Sequence, residues 1–468
     1  MTLKLMAIVL AAGQGKRMKS KLYKVLHQVC GKPMVEHVLD TVDATACERK
    51  VVVVGHGAEL VKATLGDRAE FVLQAEQLGT GHAVQQAAAL LGEEEGTTVI
   101  LYGDTPLVTA ETLGKLLEQH TNAGAAATVL TAVVPNPQGL GRIIRGENGQ
   151  VLRIVEQKDC SAEEAAITEI NTGMYCFNNR KLFEALKLVT NNNAQGEYYL
   201  TDVLEILRKQ DETVGAYIAT DFSEGIGVND RVGLGEAEQL MRARIVRQHQ
   251  INGVTIIDPA ATYIEAGVVI GSDTIIHPGT ILRGATVIGE DCVIGPQADL
   301  TNTKVDNGAA IKYSVAVDAI IGEESAVGPY ANLRPGSVLG RECKIGDFVE
   351  LKNATLGDGS KVSHLSYVGD AFVGKDVNIG CGAITVNYDG FNKSVTEIGD
   401  NAFVGSNVNL IAPVKIGDGA YVVAGSTITQ DVAANDMAIA RVRQENKAGY
   451  GEKLRARAKA KKERLAKQ

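Results

Sequence analysis

The sequence predicts a mainly parallel α/β sheet domain followed by a solenoid of six-residue repeats. Short apolar strands alternate with helix-like stretches through the N-terminal half, an amphipathic stretch near residue 230 ends that alternation, and from about residue 254 a period of six takes over.

In the N-terminal half, residues 6–10, 51–54 and 98–102 read as strands and residues 81–91 as a helix. A hairpin interrupts the pattern, because residues 142–145 and 150–156 flank a turn in which Asn148-Gly149 suits positive φ. Leu234, Ala237, Met241 and Ile245 then recur at three- and four-residue spacing and mark a connecting helix. Beyond it, Ile264, Ile270, Ile276, Leu282, Ile288, Ile294 and Leu300 are spaced by six. The phase slips and resumes from Ile321 to Leu351 and from Ile398 to Ile428, and the slips read as inserted loops. Each apolar residue is expected to point inward at a corner of a triangular coil, with Gly271, Gly289 and Gly295 permitting the turns. The expected boundaries are 1–229, a linker helix over 230–250, the solenoid over 251–440 and a basic tail over 441–468.

With 468 residues, 45% of them hydrophobic, the chain can bury more than one core. The apolar run over residues 6–12 is far shorter than a bilayer span and stops at a glycine-rich loop. Neither signal peptide nor membrane helix is expected, and a cytoplasmic location follows. The seven cysteines form no CxxC pair or Cys/His cluster, which fits reduced thiols. Net charge is −9, yet residues 441–468 hold 11 Lys and Arg against 3 acidic residues, a local +8 that leaves −17 elsewhere. So acidic a body argues against a nucleic-acid binder, and the tail reads as a solvated helix or a lid on an oligomer.

The first strand runs into Ala11-Ala12-Gly13-Gln14-Gly15-Lys16-Arg17-Met18, where small residues let backbone N–H groups approach phosphate. Met18 stands where a dinucleotide fingerprint needs its third glycine, and the G-K-[ST] ending of a Walker A loop is missing. Lys24 is close enough in sequence to fold back on a bound phosphate. Asp104 follows a strand end, the edge where open α/β sheets bind ligands; it suits Mg²⁺ or a helix cap.

These features come in order with Q-A-E-Q-L-G-T-G-H-A from Gln74, Y-G-D from Tyr102, E-I-N-T-G from Glu169 and G-V-N-D-R from Gly227. The set closely resembles the bifunctional N-acetylglucosamine-1-phosphate uridyltransferase and glucosamine-1-phosphate acetyltransferase family over almost the whole chain. The resemblance implies a Rossmann-like nucleotidyltransferase domain followed by a left-handed parallel β-helix. It further implies a cytoplasmic homotrimer that uses acetyl-CoA, UTP and Mg²⁺ to make UDP-N-acetylglucosamine for peptidoglycan and lipid precursors. By motif, Leu10, Ala11, Ala12, Gly13, Gln74, Gly79, Thr80, Tyr102 and Gly103 are implied at the uridine nucleotide, with Arg17 and Lys24 on its phosphates. Asp104 and Asn229 are implied as metal ligands, and Gly141, Glu156 and Asn171 around the N-acetylglucosamine moiety. The sequence departs from many members at Tyr23, where Pro is common, and at Leu140, where Tyr is common; both are expected to affect only local detail.

The solenoid carries polar stretches that a scaffold does not need: Arg334-Pro335, Lys352-Asn353, residues 363–367 and Asn387-Tyr388. Acyl transfer to an amine needs a base, an imidazole in general titrates in the right range, and His364 is the candidate. The resemblance implies that Arg334, Lys352, Tyr367, Asn378 and Lys393 bind the phosphorylated amino sugar. It places acetyl-CoA against Cys381, Asn387, Tyr388, Ser406, Ala424 and Arg441. Cys381 is expected to pack rather than act as a nucleophile, since the amine can attack the thioester directly. Two other readings remain open at this point: a nucleotidyltransferase whose solenoid only oligomerises or senses effectors, and a noncatalytic assembly protein.

Overall fold

The computed structural model describes residues 4–147, 149–193 and 195–466. The chain divides into two compact units. The first comprises Met1–Asn252 with Asp258–Val268 and Leu282–Gly284; the second comprises Gly253–Ile257, Val269–Ile281 and Ala285–Gln468.

In the first unit, nine strands among the described residues form one sheet. They are β1 (Leu5–Ala11), β2 (Arg49–Val54), β3 (Glu70–Leu73), β4 (Thr97–Tyr102), β5 (Ala127–Val133), β6 (Arg142–Arg145), β7 (Val151–Val155), β8 (Glu169–Asn178) and β9 (Val214–Ile218). Their spatial order is β9-β5-β8-β4-β1-β2-β3, with β6 paired to both β8 and β7. β1 lies parallel between β2 and β4, whereas β8 runs antiparallel to β4 and β5. Ala7, Ile8 and Val9 are fully buried because helices cover both faces of this central strand, so β1 is apolar throughout instead of alternating. From β1 the chain turns to one side for β2 and β3 and returns on the other for β4. That reversal opens a crevice beyond the C-terminal ends of β1 and β4, where Leu10 and Tyr102 are register partners.

The helix expected over residues 81–91 is two short ones, Thr80–Gln85 and Ala88–Leu91. Between them Gln86 and Ala87 donate to carbonyls three residues back, which tightens the chain and breaks the α pattern. The hairpin forms from β6 and β7; Asn148 lies outside the described residues. The connecting helix is Arg231–Ile251, started by the Asp230 carboxylate, which accepts from the Val232 and Gly233 N–H groups. Its Leu234, Ala237, Met241 and Ile245 pack on Val29, Met34, Leu107 and Val228, so the three-four spacing is a packing stripe.

The second unit is a parallel β-helix of strands mostly two or three residues long. Ile276, Ile294, Ile311, Val327 and Ile345 stack in register, each no more than 2% exposed, which is the six-residue period expressed as a column of inward corners. Buried hydroxyls join successive coils: Thr274 donates to the Gly289 carbonyl and accepts from Cys292 N–H, and Ser325 does the same with Gly340 and Cys343. These two hydroxyls are tolerated in the interior because both their hydrogen-bonding roles are filled.

Two expectations need correction here. Between Leu300 and Ile321 the phase slips without any inserted loop, because Val305, Ile311 and Ala316 are buried corners on paired strands and three of the turns are one residue shorter. An insertion occurs only later, between Ile384–Val386 and Thr396–Ile398. Of the three glycines read as turn-formers, Gly295 has φ +96, but Gly271 and Gly289 do not have positive φ. They are small because a Cβ would come within 2.7 and 2.2 Å of atoms of the next coil. The tail forms a helix, Tyr450–Leu465, with no buried residue; Lys467 lies outside the described residues. Among the described residues no helix is long and apolar enough to cross a membrane.

Candidate active sites

The crevice at the switch point is a cavity of about 430 Å³, lined by Leu10, Ala11, Ala12, Gly13, Lys24, Gln74, Gly79, Thr80, Tyr102, Asp104, Asn171 and Asn229 among the residues read from sequence. β1 supplies Leu10 and Ala11 and the turn after it Ala12 and Gly13, and the loop after Gly13 folds back so tightly that Lys24 Cβ sits against Gly15. The Lys24 ammonium lies between two oxygens: it donates to Asp104 Oδ2 and, at 3.1 Å, to Asn229 Oδ1. Asn229 is aimed by its own amide, which donates to the Gly227 carbonyl at 3.2 Å, and the same segment is fixed when Val228 N–H donates to the Asp104 carbonyl. Asp104 caps no helix; the following one, Ala110–Asn122, is capped by Thr109.

Arg17 does not line this cavity. It borders an adjoining opening with Gln14, Gly15, Lys16, Lys24 and Asn229, so Lys24 faces both. Gly103 lies behind the wall, its N–H donating to the Leu10 carbonyl. Gly141, Glu156 and Asn171 come together: Asn171 N–H donates to the Gly141 carbonyl, and a Cβ on Gly141 would stand 3.3 Å from Glu156 Oε1. Burial, with Asp159 and Asp202 nearby, pushes the Glu156 carboxyl above its ordinary range. Burial likewise raises the Tyr102 phenol.

Gln77, Glu197 and Leu140 also line the cavity and were not read as site residues. Leu140 therefore does more than local packing, because it places an alkyl group in the wall. Glu197 arrives on the loop whose Tyr198 carbonyl accepts from Gly81 N–H, a pairing with no signature in either segment. Tyr23 lays its ring against Gly57, where a Cβ would stand 1.8 Å from it, and so ties the loop carrying Lys24 to the turn after β2.

In the second unit, Arg334, Lys352, Tyr367, Asn387 and Lys393 converge. Lys352 and Asn387 both donate to the buried Asp370 carboxylate, Lys352 at 3.3 Å, and Asn387 also reaches the Tyr367 hydroxyl at 3.4 Å. Arg334 donates to Glu350 at 2.8 Å. Hydrogen bonding to Lys352 and its charge, with a smaller effect of Arg334, push the Lys393 amine below its ordinary value. Three cations held this close form a seat for a multiply charged anion. Asp370, the residue that organises them, was missed by sequence reasoning.

His364 ends the strand Lys361–His364 on a different sheet, and Asn378 lies on the next strand of that sheet, apart from the cationic cluster. Cys381, Ser406 and Ala424 follow on successive coils: Asn407 N–H donates to the Cys381 carbonyl, Gly425 N–H to the Ser406 carbonyl, and Arg441 reaches toward Gly425. Cys381 is exposed. Tyr388 lies on the inserted segment, which is pinched by a bridge between Tyr388 and Lys393. The His364 Nδ1 is 2.6 Å from Asp347 Oδ1.

Residues 7–211 match the MobA-like NTP transferase domain family, residues 251–343 the GMPPB C-terminal domain family and residues 396–430 the six-repeat bacterial transferase hexapeptide family. The chain is 61% identical over 451 residues to the bifunctional protein GlmU of Brevibacillus brevis, covering 96% of this chain and 98% of the relative. It is 57% identical over 444 residues to the bifunctional protein GlmU of Bacillus subtilis, covering 95% and 97% respectively. Identity of this level along nearly all of both chains, with a nucleotidyltransferase sheet and a hexapeptide β-helix each bearing a polar site, shows that the chain belongs to the bifunctional GlmU family.

Proposed function

We propose that the chain makes UDP-N-acetylglucosamine in two steps: its β-helix acetylates glucosamine-1-phosphate from acetyl-CoA, and its N-terminal sheet transfers uridylate from UTP to the product, releasing pyrophosphate. The observation that carries this reading is the Lys24–Asp104–Asn229 constellation, an anion seat and a cation seat at one point of the switch-point crevice.

In the first site, the backbone from Leu10 to Gly13 with Gln74, Gly79, Thr80, Tyr102 and Gly103 holds the nucleotide, and Arg17 and Lys24 hold its phosphates. Gly141, Glu156 and Asn171 hold the sugar. Asp104 and Asn229 fit Mg²⁺: a carboxylate and an amide oxygen already converge on the Lys24 ammonium, a cation in the place of a metal ion, and hard oxygen donors with room for phosphate and water suit that ion. When bound, the metal offsets charge on the reacting phosphates. Lys24 and Arg17 then steady the phosphate oxygens while the sugar phosphate oxygen attacks the α-phosphorus in line. No protein nucleophile is needed, since the residues act by position and charge.

In the second site, Arg334, Lys352, Tyr367 and Lys393, with Asn378, seat the sugar phosphate, and His364 accepts the proton lost as the amine attacks the thioester. Cys381, Asn387, Tyr388, Ser406, Ala424 and Arg441 hold acetyl-CoA. The domains run over 1–229 and 251–440, and the active assembly is a cytoplasmic homotrimer that supplies peptidoglycan and lipid precursors. Self-association is supported by an exposed aromatic column, Tyr313, Tyr330 and Phe348, with successive ring centroids 5.7 and 5.5 Å apart on the β-helix surface.

The test is one incubation with glucosamine-1-phosphate, acetyl-CoA, UTP and Mg²⁺ in which thiol and pyrophosphate are followed separately. Both are expected from the wild-type protein, and a divalent-metal chelator is expected to stop pyrophosphate while thiol release continues. Absence of thiol, with pyrophosphate formed from added N-acetylglucosamine-1-phosphate, would reduce the protein to a nucleotidyltransferase.

A second expectation concerns Tyr102 in the nucleotide site. Gly173 has φ +83, and a Cβ there would stand 2.7 Å from the Tyr102 ring. Gly173→Ala is therefore expected to displace Tyr102 and lower kcat/KM for pyrophosphate release by roughly 10- to 100-fold. Thiol release should be unaltered; an unchanged kcat/KM for pyrophosphate release would show that Tyr102 has no part in the site.

A further inference from the structure

His364 and Asp347 are register partners on adjacent parallel strands, Lys361–His364 and Lys344–Asp347, so the β-helix itself sets one above the other. Their side chains meet with Nδ1 2.6 Å from Oδ1. An ionised carboxylate can only accept, so the contact requires the hydrogen on Nδ1 and leaves the lone pair on Nε2. We propose that Asp347 is a positioning residue for the acetyl transfer: it fixes the tautomer and ring orientation of His364 and stabilises the imidazolium formed when the substrate amine gives up its proton. The inference rests on the reading of His364 as the base and adds a residue that this reading does not contain.

Three observations support it. Asp347 makes no other side-chain ion pair among the described residues, whereas Glu350, three residues on, is taken by Arg334 and Asp370 by Lys352. The hydrogen bond to His364 is the largest of the influences that hold the Asp347 carboxyl below the ordinary carboxylate range. Along these strands no other carboxylate occurs among the described residues: the strand after His364, Asn378–Ile379, bears none, the turn beyond it carries Cys381, and Lys344 and Lys361 sit three residues away from Asp347 and His364. The inventory balances without a further group: as the C–N bond forms and the thioester C–S bond breaks, the proton leaving the amine passes to Nε2 and then to the departing thiolate, while the one on Nδ1 stays in place.

Asp347→Asn and Asp347→Ala separate the two effects. Asparagine can still accept through Oδ1 but has no charge, so the acid limb of the kcat/KM profile for thiol release should move to lower pH, since the imidazolium loses its counter-charge. Alanine removes orientation as well, and kcat for thiol release should fall by about 10- to 100-fold with KM for both substrates within about twofold. Asp347→Glu should recover part of the rate. Pyrophosphate release from N-acetylglucosamine-1-phosphate by the same preparations shows that the first unit is folded, and a melting curve matching wild type shows the same of the β-helix. Superimposable pH profiles for wild type and Asp347→Asn, with the alanine variant within twofold in kcat, overturn the proposal while leaving His364 as the base. Absence of thiol release from the wild-type protein overturns both.

Discussion

Asp104→Ala is expected to lower pyrophosphate release by about 10²- to 10³-fold, the scale on which removal of one pre-organised electrostatic group acts. The same protein should release thiol at the wild-type rate and accumulate N-acetylglucosamine-1-phosphate. The effect is large because two losses coincide. Among the described residues Asp104 supplies the one carboxylate that accepts from Lys24 where Lys24 and Asn229 converge, and its loss leaves the Asn229 amide oxygen there. Lys24, only 15% exposed along its side chain, also loses its counter-charge and its fixed direction. Raising Mg²⁺ should recover part of the rate if metal binding is what failed. Wild-type pyrophosphate release by Asp104→Ala would remove both seats from the mechanism.

The second large effect is expected of His364→Ala, which should lower thiol release by about 10²- to 10⁴-fold. Its side chain is 61% exposed in the isolated chain, and its recorded side-chain partner is Asp347, so the substitution should leave the coil intact. Pyrophosphate release from supplied N-acetylglucosamine-1-phosphate should be unaffected. A loss in both activities would point to unfolding, which a melting curve checks. Retained thiol release would assign the base to another group, with the depressed Lys393 amine the next to examine.

The β-helix was legible in the sequence because its packing is strictly local: each corner must be apolar, so a period of six is written into the chain wherever a turn keeps its length. It was misread after Leu300, where shortened turns mimic the phase slip of an inserted loop. The nucleotide crevice was legible at its strand ends, since Gly13 and Asp104 follow apolar strands, but the placing of Lys24 against Asn229, 205 residues away, followed only from the family resemblance. Asp347 and Asp370 were not singled out. Acidic and amide residues recur throughout the coils at turn positions of positive φ, Asp273, Asp291, Asp318, Asp376 and Asp370 itself among them. One that also grips Lys352 looks, along the sequence, like the rest.

The hydroxyl ties between neighbouring coils bear on how the β-helix folds and fails. The Thr274 and Ser325 hydroxyls bond to the coil that follows and their backbone carbonyls to the coil before, and the strand pairings likewise join nearest neighbours. Such an array behaves as a one-dimensional lattice whose free energy is a sum over adjacent layers. Its contacts span little sequence, so growth can spread coil by coil once a first pair has formed. A defect in one layer weakens two junctions and leaves distant layers unaware of it, and melting should advance from whichever end is less well covered.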